Sequence, residues 1–115
     1  MSFSTQFRED IATYASTRGD RIALFIDDPG TTGANEITGY AGYSRQTTAW
    51  AAGVVDGGVT GSECTFEVPP DATVSHVGCF NSAGVFQWAY PLANPLTFPG
   101  AMTVKITPKL KSPLG

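Results

Sequence analysis

The sequence predicts a mainly β protein: an antiparallel β-sandwich, jelly-roll or immunoglobulin-like, with one short N-terminal α-helix. Three observations predict it. Short runs of β-branched and aromatic residues recur along the chain. Several of them alternate apolar and polar residues with a period of two, as a strand with one buried face does. Clusters of Gly, Pro, Asn and Asp punctuate the runs. At 115 residues the chain has the size of one domain. It divides into a helical segment at 1–19, the sandwich at 20–107 and a tail at 108–115.

The helix comes first. Phe3, Phe7, Ile11, Tyr14 and Ala15 fall at spacings of three and four, with Gln6, Arg8, Glu9, Asp10 and Thr13 largely on the other side. Ser2 or Ser4 serves as its cap, and Arg18-Gly19 as its end. Arg21-Ile22-Ala23-Leu24-Phe25-Ile26 then reads as a buried strand. The stretch 27–35, with two aspartates, a proline and two glycines, reads as a surface loop. Gly39 and Gly42 imply a bulge or bend. A strand follows from Tyr43 to Trp50, and Asp56-Gly57 signals a tight reversal.

The stretch 62–80 holds both cysteines and the single histidine. Cys64, Phe66 and Val68 alternate with Glu63, Thr65 and Glu67, and Pro69-Pro70-Asp71-Ala72 cannot continue a ladder. Thr73 to Phe80, with Val74 and Val77 on opposite faces, reads as a strand in the middle of a sheet or on the inside of an assembly. The two strands are expected to pair as a hairpin. In that register Cys64 and Cys79 lie on a diagonal of about 7 Å, at the edge of disulfide reach, and the pair is read as two small buried hydrophobes. After a turn at 81–84, Val85 to Tyr90 forms a strand whose aromatics Phe86, Trp88 and Tyr90 share a face. Three prolines make 91–99 irregular. Met102, Val104 and Ile106 alternate with Thr103, Lys105 and Thr107 in a closing strand.

Charged residues make up 15% of the chain, against an average of roughly a quarter. Much of the surface is therefore Ser, Thr, Gly and Ala, a composition that fits burial against neighbouring subunits and equally a plain β-domain with many turns. The net charge of −3 and the lack of a basic run argue against nucleic-acid binding. No apolar run is long enough for a membrane span, and the N-terminus does not read as a signal peptide, which points to synthesis in a cytoplasm.

The residue types of catalysis do not converge. His76 and Cys79 fall on opposite faces of their strand, no further metal ligand suggests itself, and His76 is read as a structural histidine. Ser75, His76 and Asp71 are local neighbours without a nucleophile-elbow motif. Asp27-Asp28 lacks the alternating acids of a calcium loop. The expectation is a non-enzyme without cofactor or metal. Exposed together, Tyr40, Tyr43, Trp50, Trp88 and Tyr90 would make a stacking platform for sugars or an anchor for a protein partner, and a glycan reading asks that Tyr40, Tyr43 or Trp50 be exposed. Trp88 is assigned to the core, and Tyr40 and Tyr43, beside glycines, are contact candidates.

Several segments together resemble a family of small β-sandwich virion proteins of tailed bacteriophages, especially phages of actinobacteria. They are Leu24-Phe25 before Asp-Pro-Gly, Asn35-Glu36-Ile37 with Gly39, Tyr43-Ser44-Arg45-Gln46 before Trp50, Phe66-Glu67-Val68-Pro69, and Val74-Ser75-His76-Val77-Gly78. The resemblance spans residues 20–107 and implies a structural role in a particle without fixing a position in it. The leading expectation is a minor tail component of the virion, assembled through repeated subunit contacts. It implies no catalytic residues. The alternatives are a capsid decoration protein and a carbohydrate-binding module at the tail tip. The expected partners are other virion proteins and further copies of the chain, for example in a trimer, with a host surface glycan as the partner of the third reading. The contact candidates are Phe3, Phe7, Asp27, Asp28, Tyr40, Tyr43, Leu110 and Leu114.

Overall fold

The computed structural model describes residues 4–51 and 58–111. Its elements are helix α1 (Thr5–Ser16) and strands β1 (Arg21–Phe25), β2 (Gln46–Thr47), β3 (Gly58–Thr60), β4 (Cys64–Val68), β5 (Thr73–Phe80), β6 (Phe86–Thr97), β7 (Met102–Ile106) and β8 (Lys109–Lys111). The described residues are mainly β, 44% strand, with one helix and antiparallel sheets. The largest sheet has the order β2-β1-β5-β6, and β3-β8 and β4-β7 form two-stranded sheets.

β5 lies between β1 and β6, as its two-sided apolarity predicts. In its register with β1, Ile22 faces Cys79 and Leu24 faces Val77, while Ala23 faces Gly78. The first set joins Phe66 and Val68 of β4, with Val74, in the main core. Ala23, Phe25 and Phe80 form a second, smaller cluster with Phe86. The sheet thus buries side chains on both faces. Val74 and Val77 both enter the main core rather than opposite faces, because a register shift between Val74 and His76 resets the alternation. A second shift at Cys79/Phe80 separates Phe86 from Trp88 and Tyr90; those two pack on the main core, so the three aromatics do not share one face.

The expected hairpin of 62–80 does not form. β4 alternates buried and exposed residues as its sequence predicts, but its ladder is made with β7, where Phe66 faces Val104. Both edges of β5 are taken by β1 and β6. Pro69 to Ala72 instead carries the chain from one sheet to another. Asp71 is left-handed at φ 64°, and the turn is tied down by Asp71 N–H to Phe98 O at 2.8 Å and Phe98 N–H to Ala72 O at 3.0 Å. The hairpin lies one strand later, at β5–β6. There Asn81 Oδ1 accepts from Ala83 N–H at 2.9 Å and Val85 N–H at 3.0 Å, and Gly84 has φ 82°.

β6 also continues through Pro91 and Pro95 to Thr97, where the sequence predicts irregular chain. It is the sheet's edge strand, so a missing N–H need not cost a ladder bond. The stretch 92–95 stands opposite Ser75 alone. The expected strand from Tyr43 to Trp50 shrinks to Gln46–Thr47. Conversely, the segment expected as a tail contains β8, in which Leu110 is buried and faces Val59. The Asp56-Gly57 reversal lies outside the described residues.

In α1, Ser4 is the N-cap, its Oγ accepting from Phe7 N–H at 3.0 Å. The buried stripe is not the expected one. Glu9 and Ala12 are buried, while Phe7 is 48% and Tyr14 66% exposed. The helix packs on β3 and β8, and Glu9 Oε1 accepts from the Gly58 N–H at 3.2 Å. A backbone donor at the head of β3 thus draws a carboxylate inward, turning the helix by about one residue, roughly 100°, from its apolar stripe.

Gly78 sets how closely the sheet's second cluster packs, since a Cβ there would collide with the Phe25 ring. Gly78→Ala is expected to lower stability by about 1–3 kcal/mol in urea denaturation. Gly30→Ala, at φ +60° with open space around it, should cost only about 1–2 kcal/mol, from backbone conformation alone.

Candidate functional site

The contact candidates divide by what the fold does with them. Phe3 and Leu114 lie outside the described residues. Asp27 and Asp28 are exposed, and each carboxylate is engaged in shaping its own loop. Asp27 Oδ1 accepts from Asp28 N–H at 2.7 Å and Asp28 Oδ1 from Gly30 N–H at 2.8 Å. Asn35 Nδ2 closes the loop on Asp28 O at 2.9 Å. Gly33, at φ +80°, lies so close to Phe80 and Phe86 that a Cβ would stand 2.9 Å from Phe86 Cβ. The loop is therefore seated on the second cluster.

Tyr43 is held inside the fold. Its ring stacks on Phe66 at 6.2 Å between centroids. Its hydroxyl accepts from Leu24 N–H at 3.0 Å and donates to Glu36 Oε2 at 2.9 Å. Burial pushes the phenol well above its ordinary range, against the opposing hydrogen bond from Leu24. Glu36 in turn takes a two-pronged hydrogen bond from Arg45, Nη2 to Oε1 at 2.8 Å and Nε to Oε2 at 3.0 Å. That hydrogen bond raises the Arg45 pKa further. The guanidinium carbon sits 3.5 Å above the Phe80 ring centroid. The chain Leu24–Tyr43–Glu36–Arg45–Phe80 fastens the 36–45 segment to β1 and to the second cluster. Tyr40 is half-buried and its ring is close to Gly42. Trp50, half-buried, donates its indole N–H to Gly19 O at 2.8 Å. Tyr43 and Trp50 thus belong to the interior bonding of the fold rather than to an open stacking platform.

Leu110 lines an apolar slot of about 490 Å³. Its walls are Ile11, Tyr14 and Ala15 of α1, Trp88, Ala89 and Tyr90 of β6, and Lys109 of β8. Lys109 is the single charge among the lining residues, and Trp88 stacks on Tyr90 at 6.1 Å and tilts against Trp50 at 5.9 Å. Burial raises the Tyr90 phenol pKa. The sequence holds a partial signal for the slot, since Ile11, Tyr14 and Ala15 share a helix face. The tertiary approach of β8 has none.

Cys64 and Cys79 are buried and free. Burial raises both thiols, Cys79 to about 12. His76 is half-buried with Nδ1 2.8 Å from Ser75 Oγ. Among the described residues no group of three or more His, Cys, Asp or Glu side chains could hold a metal ion. The chain matches no protein-family model, no curated protein and no solved structure.

Two outcomes follow from these side chains. Tyr43→Phe leaves the buried Leu24 N–H without its acceptor, and urea denaturation should show a loss of about 1–3 kcal/mol; that loss should shrink in a Glu36→Gln background if the two act as one network. For Cys79 the unfolded thiol ionises near pH ~8.5 while the folded one does not. Its stabilising contribution is full below that pH and falls as pH rises toward about 12. The urea midpoint should accordingly decline on the alkaline side, with a shallower decline in Cys79→Ala.

Proposed function

We propose that this chain is a structural protein of a bacteriophage virion, a minor tail component that works through contacts with neighbouring subunits rather than through chemistry. The observation that carries the reading is the apolar slot between α1, β6 and β8, which has the size of a binding site and a single charge in its lining. Its proposed occupant is an apolar segment of a neighbouring virion subunit with an acidic residue near it, placed to meet Lys109. The low charge content and the exposure of Ile26, Val85, Leu96 and Met102 add further surface suited to packing. The resemblance of residues 20–107 to tail-associated virion proteins supports the same role. So does the finer architecture proposed for the fold, an antiparallel sandwich of jelly-roll or immunoglobulin-like kind: Leu24 and Val77 of one sheet meet Phe66 and Val68 of another in one core.

In this reading the protein acts in the virion after synthesis in the host cytoplasm, with other tail subunits and copies of itself as partners, and needs no cofactor. Labelled imaging of intact particles separates the tail from the head. A decoration protein would appear over the capsid in hundreds of copies, by the symmetry of the shell; a tail component would appear in far fewer, on the tail. Tyr14→Glu tests the slot. Tyr14 is largely exposed, so the folded chain should change by no more than about 0.5 kcal/mol, while the amount of the protein that co-purifies with particles falls sharply. Unchanged incorporation would exclude the slot as the contact.

A further inference from the structure

A second cavity, also of about 490 Å³, lies on the face of the four-stranded sheet turned away from the main core. One wall is the loop at Asp28, Pro29, Gly30 and Thr31; the other is formed by His76 of β5 and by β6 from Phe86 to Ala89 with Pro91. The register explains why it exists. His76 faces Phe25 and Pro91, and Gly78 faces Ala89, so along this face β5 and β6 offer small or ring side chains with little bulk to fill the space under the loop. The loop itself is fixed in shape before anything binds. Pro29 is buried, its carbonyl accepts from Gly33 N–H at 3.1 Å and Ala34 N–H at 3.2 Å, and Ile26 N–H reaches Asn35 O at 2.9 Å.

We propose that this cleft binds an uncharged saccharide. The lining contains no lysine or arginine, which disfavours a phosphate or carboxylate. One imidazole and one carboxylate are too few donors for a metal. An apolar ligand would strand the polar groups. What remains suits a ligand whose hydroxyls each donate and accept. His76 has Nδ1 engaged with Ser75 Oγ at 2.8 Å, which leaves Nε2. Gln87 donates Nε2 to Val85 O at 3.2 Å, which leaves its carbonyl oxygen as an acceptor. Asp28 commits Oδ1 to Gly30 N–H, which leaves Oδ2. The Thr31 hydroxyl adds a group of either sense. The half-buried Phe86 ring offers an apolar surface for the C–H face of a sugar ring. A wall already held by its own hydrogen bonds lowers the ordering cost of binding. The glycan reading suggested by the sequence thus moves from Tyr40, Tyr43 and Trp50 to this cleft. It stands independently of the subunit contact proposed for the slot.

The test is a titration of the ¹⁵N-labelled full chain, followed by amide shifts, with glucose, galactose, mannose and N-acetylglucosamine and with disaccharides built from them. The expected result is a saturable shift with at least one sugar in the millimolar range, confined to Gly30, Thr31, His76, Gln87 and their neighbours. Gln87→Ala should weaken that binding about three- to tenfold, the equivalent of one hydrogen bond. Thr31→Trp, placed on an exposed position at the mouth, should abolish it while the thermal midpoint stays unchanged. The proposal is overturned if every sugar fails to give saturable shifts at tens of millimolar, or if the shifts cluster elsewhere. It is equally overturned if inorganic phosphate or hexanoate moves the same amides more strongly than any sugar.

Discussion

The burial of β5 on both faces is the constraint on which the rest of the structure depends. A strand wet on one side needs one partner layer; a strand covered on both sides needs two, and the chain must supply them. Val77 and Cys79 look toward Phe66 and Val68, and this pairing draws β4 and its partner β7 over one face. On the other face Gly78 admits the ring of Phe25, and Phe80 stacks on that ring with centroids 6.1 Å apart. The second layer there is no sheet but the loop before Glu36, brought down by Gly33. Val74, Val77 and Cys79 on one face and Gly78 with Phe80 on the other let β5 serve two separate clusters.

The shallow side needs an anchor, because a loop resting on three phenylalanines has little area to hold it. The Tyr43–Glu36–Arg45 chain supplies that anchor. Tyr43 satisfies the Leu24 N–H from outside the ladder, Glu36 takes the Tyr43 proton donor, and Arg45 neutralises Glu36 while covering Phe80. Each buried polar group therefore finds its partner within the network, the condition under which a partly buried ion pair rigidifies a fold instead of weakening it.

What the sequence discloses follows from the range of the physics involved. Strands with local alternation or continuous apolarity, such as Cys64–Val68 and Arg21–Phe25, announce themselves within five residues. Turns announce themselves through Gly84, Asn81 and the Asp-Pro-Gly of the loop. Strand pairing does not. Nothing within 62–80 tells that β4 will prefer β7, some forty residues on, because the preference is set by which edges β1 and β6 have already taken. The two register shifts along β5 are equally silent, and they moved Val74 and Phe86 to faces that simple parity denies them. The buried helix face departs from the apolar stripe for a different reason: Glu9 is drawn inward by one backbone N–H of β3, and a hydrophobic stripe carries no record of that donor. Of the contact candidates, Leu110 lines the slot and Asp28 the cleft; Trp88, Ile11 and Gln87 carry no local signal as lining residues because each becomes one only when distant segments meet.

The two cavities are joined by β6. Trp88 and Ala89 border both, so the slot and the cleft are separated by little more than the thickness of one strand. That strand is the sheet's edge, and its pairing with β5 is broken near both ends by register shifts. An edge strand held on one side, with irregular pairing above and below a short regular stretch, is easier to displace than a central one. Seating a neighbour against Trp88 and Tyr90 would press on the backbone that also forms the wall around Gln87. A subunit contact at the slot would therefore meet Trp88 and Ala89, the same two residues that border the cleft.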